Sequence, residues 1–114
     1  MELILKGRDE CMRAAAFLGE AGIYAGCAYV MAEGDENREL AGQLFMMAEI
    51  LWSLHQAVLS SVDRGVKLDV KDVEEKIAAV DSIVKKSTNE GLKSSWSVVV
   101  GAWAHALGRG ARRK

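Results

Sequence analysis

A chain of 114 residues, 50% hydrophobic and 27% charged, is long enough for one folded domain and too apolar for a disordered segment. Its net charge of −1 excludes a surface that is strongly basic or acidic overall, and its two cysteines exclude a disulfide framework. The sequence holds no proline, which leaves long uninterrupted helices open to it and makes glycine the main breaker.

The first helix is expected over residues 9–32. Asp9 and Glu10 put negative charge at its N-terminus, where the helix dipole favours it, and Gly34-Asp35 ends it in a tight turn. Between Cys11 and Ala32 the only charges are Arg13 and Glu20. Ala14, Ala15, Gly19, Gly22, Ala25, Gly26 and Ala28 recur at spacings of three and four, which lets another helix backbone approach closely. Each interior glycine costs about 1 kcal/mol relative to alanine, so their presence argues for a packing purpose.

This segment is long enough to cross a membrane. Glu20 near its centre would cost about 2.5–3.5 kcal/mol there, and alanine and glycine offer little to offset it, so a span is not expected. No signal peptide is expected either, because Met1–Lys6 runs directly into Arg8-Asp9-Glu10. Cys11 and Cys27 on one helix lie about 24 Å apart along its axis, against a disulfide reach of roughly 7 Å. Both are expected to be reduced core residues of a cytoplasmic protein.

The second helix is expected over residues 36–64, started by Asp35. Leu40, Leu44, Met47, Leu51, Leu54 and Val58 form one seam, and Phe45, Ala48, Trp52, Leu59 and Val62 form an adjacent one. With Glu49 the only formal charge from Leu40 to Val62, this reads as a central helix covered on two faces. Val66-Lys67-Leu68 is then a short connection, and Asp69 caps a third helix over residues 70–86. Val70, Val73, Ile77, Val80 and Val84 form its single apolar seam, with Asp72–Lys76 and Asp81–Lys85 as i,i+4 pairs on the wet side. Ser87–Gly91 is a turn. A fourth helix over 92–107 carries Leu92, Trp96, Val99, Val100, Trp103 and Leu107 on one stripe, and 108–114 is a frayed basic tail. The sum is an all-α four-helix bundle-like domain over residues 1–114, antiparallel with short connections.

No signature of chemistry outweighs the packing role of the residues that would carry it, and no cofactor is expected. Glu49 and His55 sit about 240° apart around their helix, unlike the Glu-x-x-His pair of bundle metal sites, so no metal is expected. Glu20, Glu49 and His55 are the polar residues expected inside, with Glu20 paired to Arg13 or to a neighbouring subunit. Cys11 near a helix N-terminus is the one candidate for a reactive thiol, with burial the commoner state. Leu18-Gly19, the Gly34-Asp35 turn, and Ala41 with Phe45 and Ala48 resemble part of a tetratricopeptide unit. Ala15 and Gly22 stand where that family has Trp and Tyr, and its closing proline is missing, so membership is not inferred.

Two nearly all-apolar helices exceed what a small monomer hides. The first expectation is therefore a non-enzymatic assembly module that binds itself, or a constant protein partner, through the first helix. Phe17, Glu20, Gly22, Tyr24, Gly26, Cys27 and Met31 are the residues assigned to that contact. The second expectation is nucleic-acid association through Lys93, Arg109, Arg112, Arg113 and Lys114 of the basic C-terminal end, with Trp96 and Trp103 held in the core and unavailable for stacking. The third is a small helical enzyme whose site lies between subunits and uses Glu20, Glu49 or His55.

Overall fold

In the computed structural model, which describes residues 2–35 and 37–108, the elements run β1 (Glu2–Leu5), α1 (Arg8–Gly34), α2 (Arg38–Leu59), β2 (Val66–Asp69), α3 (Lys71–Val84) and α4 (Glu90–Ala106). The four helices form the expected all-α bundle. Helix α1 packs between α2 and α4, and α3 closes the opposite side against the same two helices. Tyr29 meets Phe45 while Gly19 meets His55, so α1 and α2 are antiparallel. Phe17 meets His105 while Met31 meets Gly91, which makes α4 antiparallel to α1 as well.

The caps follow local chemistry, with shifts of a residue or two from expectation. Glu10 in the first turn of α1 accepts a hydrogen bond from the Lys6 amide at 2.8 Å. Asn37, not Asp35, caps α2 through its side-chain oxygen and the Leu40 amide. Helix α2 ends at Leu59 rather than near Arg64. There the Ser60 hydroxyl donates to the Gln56 carbonyl at 2.6 Å, and the Ser61 amide moves to the Val58 carbonyl, tightening the last turn. Val70 occupies the cap position of α3, with the Asp69 carboxylate accepting from the Lys71 amide one residue later. Asn89 caps α4 through the Leu92 amide at 3.0 Å.

The segment expected to be a plain connection is a strand. Val66–Asp69 pairs antiparallel with Glu2–Leu5 in the register Leu3↔Leu68 and Leu5↔Val66. Both strands sit at the bundle end where α1 and α3 begin, and Leu5 and Leu68 point into the core. Of the two anticipated ion pairs on α3, Asp81–Lys85 forms at 3.0 Å, and Asp72–Lys76 does not form among the described residues.

The small residues of α1 lie inside the bundle. Ala14, Ala15, Ala21, Ala25, Ala28 and Ala32 are buried, and they let α2 and α4 lie close against its backbone. Helix α1 is long and apolar enough to cross a membrane by length and composition, yet within this bundle only 44% of its most apolar window is buried. The rest of that window is half-buried or exposed.

Candidate functional site

Each α1 residue assigned to an interface occupies a distinct environment. Phe17 is half-buried against the His105 ring, with centroids 5.0 Å apart. Gly22 is buried, and a Cβ there would meet the Trp52 backbone nitrogen and ring at 3.4 Å, so it serves the α1–α2 contact of this chain. Gly26 is half-buried with open space above it. Tyr24, Cys27 and Met31 are exposed, and Met31 lies against the start of α4 at Gly91.

The charged residues expected inside are outside. Glu20 and Glu49 are both exposed, on the outer sides of α1 and α2, whose inner faces are filled by alanine and Leu18 and by Leu44, Met47 and Leu51. No Glu20–Arg13 pair forms among the described residues. His55 is half-buried and bonds through Nδ1 to the Ala15 carbonyl at 2.6 Å, with its ring 4.7 Å from that of Trp52. As an N–H, Nδ1 donates to that carbonyl. His55 thus ties α2 to α1 and is committed to structure. Cys11 is fully buried, which removes it from reach of solvent, whereas Cys27 is exposed and not the core residue anticipated. No group of three or more His, Cys, Asp or Glu among the described residues could hold a metal. Lys93 is half-buried on α4, and Arg109, Arg112, Arg113 and Lys114 lie outside the described residues.

The feature missed at the sequence level is on α2. Phe45, Trp52 and Leu59, read there as a covered second seam, are 47%, 44% and 39% exposed. Beside them on α1, Ile23 and Val30 are 58% and 63% exposed. Among the described residues α1 packs closely on α2 and α3 touches it to a lesser extent, and one of its two seams is left uncovered. Between the helices runs an open groove of about 530 Å³. Gly22 and Ala48 line it together with Ile23, Phe45 and Trp52, and Glu49, Ser53 and Gln56 supply its polar lining. Tyr29 flanks Phe45 with ring centroids 5.4 Å apart. A hydrogen bond to Glu33, together with that carboxylate's charge, raises the Tyr29 phenol above its ordinary pKa.

The signal for this face was present in the sequence as spacing. Phe45, Trp52 and Leu59 recur every seven residues, as do Ala16, Ile23 and Val30. Periodicity reports which residues share a face and is silent on whether a neighbour covers it. The arrangement offers apolar contact area with polar margins. No family model matches the chain, and no curated protein or solved structure matches it.

Proposed function

We propose that this chain is a non-enzymatic helical assembly module that associates with protein, either another copy of itself or a constant partner, through the outer apolar face of α1 and α2. One observation carries the reading: Ile23, Val30, Phe45, Trp52 and Leu59 stand exposed on adjoining helices. The largest contiguous apolar patch on a monomer, about 300–600 Å², is often functional, and larger ones mark contact surfaces. The small-residue stripe of α1 has a different task, close packing inside the bundle, so the contact moves to the neighbouring face. The free cysteines suit a reducing compartment, and we place the protein in the cytoplasm on that ground.

Sizing the untagged protein, both in extract and after purification, tests the reading. A mass above the 12.4 kDa of one chain in either preparation is the expected result. A particle of one chain in both overturns it.

A further inference from the structure

We infer that the partner is a second copy of this chain, docked two-fold symmetrically with the α1–α2 face of one protomer on the α1–α2 face of the other. The inference rests on the assembly reading above and names its occupant. Its basis is a matched register. Ala16, Ile23 and Val30 form a row of seven-residue spacing on α1, and Phe45, Trp52 and Leu59 form one on α2. The helices run antiparallel with Gly22 against Trp52 and Tyr29 against Phe45, and Ile23 and Trp52 line the same groove. That register sets Ile23 beside Trp52. One heptad to either side, it sets Val30 beside Phe45 and Ala16 beside Leu59.

A row at seven-residue spacing stays on one face of a helix under gentle left-handed supercoiling, and it is one half of the seam whose side chains enter holes between four residues of a facing helix. Two parallel rows with a small-residue groove between them therefore fit a second pair of antiparallel helices. They suit a lone extended peptide or a flat sheet less well. This chain carries such a pair. A two-fold contact uses one patch twice, so the surface need only be complementary to itself.

The size agrees. Five large side chains, 39–63% exposed and so on the order of 100 Å² each, supply about 500 Å² of the roughly 800 Å² per partner that a stable interface buries, and the intervening small and polar residues add to it. The charges stand where an interface tolerates them. Glu20 is exposed beside the α1 row, and Glu49, Ser53 and Gln56 are the polar members of the groove lining beside Phe45 and Trp52.

The test compares the purified wild type with Ile23→Glu, Val30→Glu and Tyr24→Glu by light scattering and native mass spectrometry. Far-UV circular dichroism confirms folding, since all three side chains are exposed in the single chain. The expected result is a wild-type dimer. Ile23→Glu and Val30→Glu weaken it by at least about 30-fold, the scale of a central hot spot, and Tyr24→Glu leaves it intact. A dimer that survives Ile23→Glu and Val30→Glu but is lost in Tyr24→Glu overturns the docking face and leaves the assembly reading standing. A purified monomer that runs as a larger particle in extract overturns the second-copy assignment alone. A purified monomer that sediments with phosphatidylglycerol vesicles also overturns it, in favour of a lipid surface.

Discussion

The indole N–H of Trp96 donates to the Asp81 carboxylate at 3.0 Å, and seven residues further along α4 the indole of Trp103 donates to Glu74 at 3.3 Å. Glu74 precedes Asp81 by the same seven residues, so two rungs one heptad apart join the antiparallel helices α3 and α4. Partial burial by itself would raise the Asp81 carboxyl. Hydrogen bonds from Lys85 and Trp96, with the Lys85 charge, outweigh that and hold it below its ordinary value. A carboxylate whose pKa is lower folded than unfolded contributes its stability fully above the unfolded value, near pH 4, and loses it as pH falls through the folded value. Asp81→Asn is expected to flatten the loss of stability below about pH 4, measured by denaturant titration across pH. Trp96→Phe, which keeps an aromatic ring in the core but removes the donor and some volume, is expected to cost at least about 1–2 kcal/mol.

Gly19 and Gly101 make a matched pair of tests on two helices. A Cβ at Gly19 would stand 3.0 Å from the His55 ring, which the Ala15 carbonyl and Trp52 hold in place, whereas Gly101 faces open space. Gly101→Ala is expected to stabilise by about 0.5–1 kcal/mol through helix propensity. Gly19→Ala is expected to lose that gain and fall below wild type. Thermal melts of both variants decide it, and a Gly19→Ala protein as stable as Gly101→Ala would contradict the close α1–α2 packing.

Gly65 joins α2 to β2 with φ at +80°, and a Cβ there would lie 2.9 Å from the Leu5 carbonyl. Side chains disfavour that conformation by about 1–2 kcal/mol, and the clash with β1 adds to it. Gly65→Ala is expected to destabilise by at least about 1 kcal/mol in urea denaturation. Gly108 also has positive φ but open space around it, so Gly108→Ala is expected to cost less.

The side-chain oxygen of Gln43 is buried beside Met46 and Met47 of α2 and Lys76, Ala79 and Val80 of α3, without a hydrogen-bond partner among the described residues. An unsatisfied buried polar atom costs about 1–3 kcal/mol, and an apolar side chain of similar shape removes that cost. Gln43→Met is expected to stabilise the fold by about 1 kcal/mol in the same denaturation assay. An unchanged or lower midpoint would mean that the amide is satisfied in solution.

The helices themselves were legible from the chain. Val73, Ile77, Val80 and Val84 on α3, and Leu40, Leu44, Met47 and Leu51 on α2, are buried as their spacing requires. Apolar periodicity is a local property that survives in any packing arrangement of the helix. The termini shifted by a few residues because capping depends on which side chain reaches a free amide, as Asn37 does where Asp35 was expected.

Three things were decided by tertiary structure. Strand β2 exists because Leu5 brings β1 back to it across the bundle end, and four residues carry too little pattern to announce a pairing partner more than sixty positions away. Glu20 and Glu49 lie outside because the inner faces of their helices are already taken, by Ala14, Ala15, Leu18 and Ala21 on α1 and by Leu44, Met47 and Leu51 on α2. Phe45, Trp52 and Leu59 were assigned to the interior with the rest of α2, and they stand in solvent because α1 and α3 together cover only part of that helix. The sequence by itself determined which residues share a face, through local spacing along the chain. Which faces are covered is a property of how many neighbours reach them, and only the folded chain settles it.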